Sequence, residues 1–407
     1  MAVAAIALLV SCEKENGSDI PQRNDIVLTR AESEVMEAGN DFSFGLLREI
    51  AQEKDYRNIF LSPISAHIAT CMLANGATGE TYSQIVNTLG YDGFSIDDVN
   101  SAYRTLLEGL KRVDTSTELD IANSIWVKDD FPVSSDYVSD MAEIYDAYVK
   151  NLDFKSSSAI KTINSWCSQK TGKMIPSAID RIEDETVMLL MNAVYFKGKW
   201  KERFSGSDTY DEEFTTLGGQ KQQRDFMHIT KQFKYSQDED GRVRMCEIPY
   251  GNGGFVMDVV LPDTDIDFRE FIAGMTGEKW KDMFTYTGSH EVVLSLPKFK
   301  LESNYELTDA LMAMGMELPY DKDKADLKKM CSDPLWQLWV GKTTQKSVIE
   351  VDEKGTKAAT VTTHHVKGET AAGPPAGRVV FKADHPFLFL IRETTSDTIL
   401  FIGTLTD

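Results

Sequence analysis

Apolar residues recur at helical spacing through the first half of the chain and in strand-like runs through the second. From about Ala31 onward, Phe42, Phe44, Leu46, Leu47 and Ile50 mark one helical stretch. Ser62-Pro63 opens another, where proline's fixed φ and missing donor suit a first turn. Amphipathic spacing also predicts helices within 97–112, 136–149, 160–171 and 305–314. Strands are predicted over 119–127, 187–196, 245–261, 292–296, 348–351 and 387–391. The run 187–196 is almost continuously apolar, as in a central strand buried on both faces. Asn192 inside it requires a partner, because an unsatisfied buried amide costs about 1–3 kcal/mol. Helices followed by strands, without regular alternation, predict an α+β fold, and residues 31–407 show no repeat or linker that would divide them.

Two segments depart from this pattern. Between Gly355 and about Pro375 small side chains, threonines and glycines leave no hydrophobic face, and a loop of that length inside a compact domain either has a function or is disordered. At the other end, Met1 to Val10 is apolar but too short to cross a bilayer, and the chain turns polar after Cys12. Leu9-Val10-Ser11-Cys12 resembles a bacterial lipoprotein signal, although basic residues before the apolar stretch are missing. The resemblance implies a signal peptide over 1–11, a lipid on Cys12 and a flexible tether over 12–30. The chain would then be exported and anchored to the bacterial outer membrane, on the cell surface or the periplasmic face. A plain secretory signal, giving a secreted chain, is the alternative.

Composition narrows the chemistry. Against 43 basic residues stand 64 acidic ones, a formal charge of −21 that repels nucleic-acid backbones and anionic lipid surfaces. Membrane association is therefore expected through the lipid alone. Cys12, Cys71, Cys167, Cys246 and Cys331 form no C-x-x-C pair, so neither a metal site nor a cofactor is expected. Cys71, Cys167 and Cys246 lie in or beside apolar segments and are expected as small core residues, with a disulfide left open. The six histidines show no metal-ligand spacing beyond the adjacent His364 and His365, and no G-x-S-x-G, phosphate-cradling glycine loop or cysteine-protease signature occurs. An enzyme is not expected.

Several motifs occur in one order along nearly the whole chain. They are Asn58 to Ser65, Gly76 to Thr81, Asn164-Ser165-Trp166 with Thr171 to Met174, and Asn192 to Trp200. Glu247 to Tyr250, Leu296 to Phe299 and Asp384 to Phe389 complete the series. Together they resemble the serpin family. The resemblance implies a monomer of about eight to nine helices packed around three β-sheets, with a large central sheet and an exposed reactive-centre loop at about 353–377. It also implies a suicide-substrate inhibitor of serine, or cysteine, proteases. The cut loop inserts into the central sheet as an added strand and traps the acyl-enzyme. In such a fold Asn192, Ser62 and Ser65 belong to a cluster that governs sheet opening, and Trp200 lies at the top of the sheet where the loop enters. Gln345 stands where most members have a histidine; it can donate and accept but not titrate, so geometry is kept and pH sensitivity at that position is lost.

Glu353-Lys354-Gly355-Thr356-Lys357-Ala358-Ala359-Thr360-Val361-Thr362 resembles the serpin hinge. As a strand it would present Thr356, Ala358, Thr360, Thr362 and His364 on one face, none with an obligate charge, and Lys357 on the other. The usual hinge length leads to a reactive bond at Glu369-Thr370, while Lys367-Gly368 lies two residues earlier and Val366 or Ala371 would suit elastase-like enzymes. The competing expectation is a non-inhibitory member acting as a binding or chaperone-like protein.

Overall fold

A computed structural model describes residues 21–52, 58–356 and 378–407. The described helices are α1 (Arg30–Ala51), α2 (Pro63–Gly76), α3 (Gly79–Thr88), α4 (Ile96–Leu110), α5 (Ser135–Tyr145), α6 (Ser157–Lys170), α7 (Phe268–Gly274), α8 (Gly277–Asp282) and α9 (Thr308–Ala313). Strands β1 (Ile59–Leu61), β2 (Glu118–Lys128), β3 (Tyr148–Leu152) and β4 (Met188–Lys199) are interleaved with the first helices. After them come β5 (Thr209–Thr215), β6 (Lys221–Gln237), β7 (Val243–Pro249), β8 (Phe255–Pro262), β9 (Gly288–Pro297) and β10 (Phe299–Glu306). The chain closes with β11 (Thr344–Asp352), β12 (Gly355–Thr356), β13 (Val379–Lys382), β14 (Phe387–Glu393) and β15 (Ile399–Leu405).

The central sheet has the order β10-β11-β12-β4-β2-β3. The remaining strands follow β1-β15-β14-β8-β7-β6-β9-β13, with β5 also on β6. β6 is long enough to serve two sheets: its first part pairs with β5 and β9, its last residues with β7. The three expected sheets are thus a separate central one and two that share β6. Phe60 and Phe401 stack at 5.4 Å on neighbouring strands of one sheet, and Phe299 of the central sheet lies 5.1 Å from Phe389 of the other.

Local chemistry explains where the helices begin. Thr29 and Glu32 form a reciprocal capping box at α1, satisfying two backbone donors that the first turn leaves free. Pro63 starts α2, a helix buried on nearly every side because it carries apolar or small residues all round. Its N-cap Ser62 leaves capping aside and donates its hydroxyl to Leu400 O at 3.0 Å.

Three expectations change. The apolar run 245–261 is a hairpin of β7 and β8, turned by Gly251 and Gly253 at positive φ. The helix expected over 305–314 shrinks to α9, because Tyr305 and Glu306 still belong to β10, whose burial alternates with strand period. Residues 21–29, expected as the last part of a flexible tether, lie against the body: Asn24 N–H donates to Val113 O at 3.3 Å and Ile26 N–H to Thr395 Oγ1 at 3.0 Å. Ile26 is buried against Gly109, where a Cβ would come within 2.8 Å of it, so one apolar side chain fastens an otherwise polar stretch. Residues 1–20, including Cys12, lie outside the described residues. Cys71, Cys167, Cys246 and Cys331 are free thiols, the first three buried.

His67 occupies the core beneath α1, 4.9 Å from the Phe42 ring, with Nε2 2.5 Å from Tyr91 Oη. Burial pushes its pKa down to about 3. The unfolded chain, with a histidine near its ordinary value, then binds more protons between pH 3 and 6.5, and the slope of stability with pH is positive there. Stability should fall as pH drops below 6.5, by up to about 1.4 kcal/mol per pH unit from this residue. Urea midpoints measured from pH 7 to 4 should show that slope, and His67→Gln should reduce it.

Candidate functional site

The central sheet is incomplete. Along one edge β4 pairs with β2 from Met188 to Lys197, and along the other it meets β12 only at Gly198 and Lys199. β11 pairs with β10 over its length and with β12 only at Val351 and Asp352. Below that short wedge, the facing edges of β4 and β11 have no strand partner among the described residues. A cavity of about 910 Å³ lies between them, bounded by both strands, by Phe60, Ser62 and Ser65 toward the core, and by Ile175 and Ala178 outside. Since β12 separates the strands at the top, the opening spans two strand spacings, roughly 10 Å, which is room for one more strand.

At the upper end the chain is held in a tight turn. Asp352 Oδ1 accepts from the N–H groups of Lys354 (2.8 Å) and Gly355 (3.2 Å), folding residues 352–355 into an Asx-type turn. Trp200 clasps it from the end of β4: Nε1 donates to Asp352 O at 2.8 Å and the backbone N–H to Lys354 O at 3.0 Å. Its indole is stacked on Tyr250 at 4.4 Å. Gly355 adopts φ +147°, and a Cβ there would stand 1.9 Å from Gly198 O, so only glycine can pass. Thr356 is buried, its hydroxyl 2.6 Å from that of Tyr250. Lys298 donates to Glu353 at 3.1 Å. Burial pushes the Glu353 carboxyl up, but backbone, Lys298 and Thr209 hydrogen bonds outweigh that and hold it below its ordinary value.

Lower down, the sheet-opening residues fall into two separate pairings. Gln345 Nε2 donates to Ser62 O at 2.8 Å while Ser62 N–H donates to Gln345 Oε1 at 3.0 Å, fastening β11 to the start of α2. The amide therefore binds the Ser62 backbone much as a strand would, with both its donor and its acceptor in use. Asn192 instead joins its strand neighbour: Nδ2 donates to Asn123 Oδ1 at 2.5 Å, and Asn123 Nδ2 donates to Tyr145 O at 2.6 Å. Asn192 Oδ1 is buried with no hydrogen-bond partner among the described residues. Ser65 is buried and donates its backbone N–H to Ser62 O at 3.1 Å. Trp200 belongs to the upper turn and stands apart from these pairs.

The hinge positions from Lys357 to Thr362 and the reactive-bond candidates Lys367, Gly368, Glu369 and Thr370 lie outside the described residues. Sequence reading missed the parts played by Asn123 and Tyr250. Asn123 carried a signal, as a lone amide in the inward half of an apolar strand; Tyr250 was visible only as part of a motif, and its meeting with Thr356 joins positions far apart in the chain. Among the described residues no group of three or more His, Cys, Asp or Glu could hold a metal ion, and no helix is long and apolar enough to cross a membrane.

Comparison with known proteins bears on this arrangement. A family model described as "Serpin (serine protease inhibitor)" matches residues 37–407. Serpin B9 of Homo sapiens is 32% identical over 90% of this chain and 97% of its own, and Iripin-2 of Ixodes ricinus 30% identical over 91% and 93%. The native-state crystal structure of the thermophilic serpin tengpin has a TM-score of 0.83 at 32% identity, covering 94% of this chain and 96% of that one. A thyroxine-binding globulin in complex with thyroxine has a TM-score of 0.81 at 26% identity, covering 92% and 99%.

Gln345→Glu should lower the stability of the uncut chain by about 2–3 kcal/mol, because a carboxylate would face Ser62 O and lose a donor in a buried place. The urea midpoint measures this, and Gln345→His should show a pH dependence that the wild type lacks at that position.

Proposed function

Because the chain belongs to the serpin family, we propose that it inhibits a serine, or cysteine, endopeptidase as a suicide substrate, with the slot between β4 and β11 as the receiving site for its own cut loop. The observation that carries this reading is the wedge at Gly355–Thr356, which already pairs antiparallel with both strands. Carried on in that register, position 362 comes opposite Asn192 on one side and Gln345 on the other, and position 369 comes opposite Glu185, beyond the lower end of β4. Thr362 would thus offer a hydroxyl to the buried acceptor that Asn192 leaves unfilled. A protease attached near 367–369 would be carried to the opposite end of the sheet.

The inward face supports insertion. Thr356 shows which face turns to the core, and Ala358, Thr360 and Thr362 would share it by strand period once inserted. Burying them demands no ion. The rival reading, a binding or chaperone-like serpin, is favoured by the likeness to a thyroxine-binding globulin, but the open slot and the uncharged inward series favour the inhibitor. Specificity rests with Glu369 or Lys367: glutamate would address a glutamyl endopeptidase, lysine a trypsin-like enzyme. The chain acts as a monomer without cofactor or metal and is not an enzyme. It is exported and held at the bacterial outer membrane by lipid on Cys12, a location supported by the Leu9-Val10-Ser11-Cys12 sequence. Mass spectrometry of the mature N-terminus tests that anchor, and an unmodified Cys12 would remove it.

Incubation with trypsin-like, glutamyl and elastase-like enzymes should yield a complex that survives denaturant with one of them. Cutting the loop should raise the melting temperature by about 10 °C or more, since a full strand adds many hydrogen bonds at about 1 kcal/mol each. Thr360→Arg, which would have to bury an unpaired charge only when the loop inserts, should turn the inhibitor into a plain substrate. No covalent complex and no thermal gain in the wild type would leave only the non-inhibitory reading.

A further inference from the structure

Residues 21–26 form an arm fastened to three connections that are distant in sequence. Arg23 Nη1 donates to Gly253 O at 2.9 Å, in the turn between β7 and β8. Asn24 holds the turn that follows α4, donating its backbone N–H to Val113 O at 3.3 Å and Nδ2 to Arg112 O at 3.0 Å. Ile26 donates its backbone N–H to Thr395 Oγ1, between β14 and β15, and its side chain is buried. Two of these connections are also joined directly, since Asn252 Nδ2 donates to Val113 O at 2.9 Å.

The turn between β7 and β8 also borders the hinge. Gly253 N–H donates to Tyr250 O at 2.7 Å, and Gly251 N–H donates to Lys199 O at 2.8 Å, at the upper end of β4. Tyr250 carries the hydroxyl that meets Thr356, the residue from which the loop departs. β2 sets out at the same level, with Glu118 opposite Lys197. The arm is therefore docked beside the pole of the reactive-centre loop, and Glu185 lies a strand length away, beyond the lower end of β4.

Reach decides the consequence. Nine residue steps separate Cys12 from Pro21, where the docked arm begins, and they span about 30 Å at most. A compact chain of this length is about 55 Å across. Turning the far pole to a bilayer would lift the docked arm farther from the surface than those nine steps allow. We infer that the anchored protein presents its loop pole toward the lipid surface, so that its partners are proteases working at or close to the membrane. The inference rests on the proposed lipid at Cys12 and, for its purpose, on the inhibitor reading; the orientation follows from the docked arm and holds for any attachment at residue 12. A protease captured there would be carried about 40 Å along the sheet and away from the bilayer, because position 369 comes opposite Glu185 when the β12 register is continued.

The test holds the protein on phosphatidylcholine vesicles in two ways. One uses the lipoprotein extracted from membranes; the other uses residues 12–407 with Cys12→Ser, led by a histidine tag on nickel-chelating lipid. In a Cys331→Ser background, a donor fluorophore is placed on Lys201→Cys above the upper end of β4 or on Asp184→Cys below its lower end, both exposed positions. Energy transfer to an acceptor on the lipid headgroups then reads the height of each. The Lys201→Cys label should lose most of its emission and the Asp184→Cys label little. A spacer of about twenty Gly/Ser residues after Ser18 should erase the difference, because the tether then outreaches the molecule. Ile26→Asp, which frees the arm and lengthens the lead to about 55 Å, should shrink it. Equal losses at the two labels overturn the inference, as does a greater loss at Asp184→Cys. A difference that persists with the spacer overturns it too, because adsorption of one face would then explain the ordering. If the tagged chain shows the ordering while natural Cys12 carries no lipid, the orientation stands and the anchor reading falls. Ordering without capture of any protease removes the inhibitor reading alone.

Discussion

A backbone N–H or carbonyl inside a protein needs a partner, and over most of their facing edges β4 and β11 find none in another strand among the described residues. Among the described residues the fold leaves a strand-wide opening in its central sheet, with polar groups fastened on either side of it. Hydrogen bonding that would normally be complete at the end of folding is held back. The chain reserves the missing strand in its own sequence, immediately after Thr356, so closing the sheet requires only that the downstream loop be freed at one end.

The opening is bordered on three sides by groups of different kind. At the top, Trp200 and the Asp352 turn fix the entry angle, and glycine at 355 is the only residue whose backbone can pass Gly198. Toward the core, Gln345 and Ser62 anchor β11 to the first turn of a buried helix. Outside, the chain after α6 spans both strands. Each contact is worth only what a hydrogen bond is worth in a protein, about 1 kcal/mol. A cut loop that forms a full strand outweighs any of them, whereas thermal motion in the uncut chain has to break several together.

One buried ion cluster away from the slot is satisfied more fully. Arg392 is enclosed by Asp258, Glu247 and Asp397, with the ring of Phe284 4.6 Å from its guanidinium carbon. Burial raises the Asp258 carboxyl to about 6, with Arg392 opposing the rise. Set against that enclosed cluster, Asn192 Oδ1 beside the slot is bare.

Much of this was legible in the chain itself. Apolar runs located β2, β4, β11 and β14, helical spacing the beginning of α1 and Ser62-Pro63 that of α2, because burial on one face leaves a repeat and burial on both an unbroken run. The hinge could be read as a strand in waiting because Gly355, Thr356, Ala358, Thr360 and Thr362 carry their conformational freedom and neutrality in their own side chains. β6 and β10 were missed because polar residues interrupt the apolar repeat, as Ser303 does between Leu301 and Tyr305 in β10, and the fastening of residues 21–29 because it hangs on Ile26 finding Gly109. What tertiary structure alone decided is which distant groups meet: Thr356 with Tyr250, Asn192 with Asn123 in preference to Gln345, and Lys346 with a carbonyl across the slot. Those pairings depend on strand register and on the path of a connection over the sheet. Both are set by the packing of the whole molecule, and neither leaves a trace in the local order of residues.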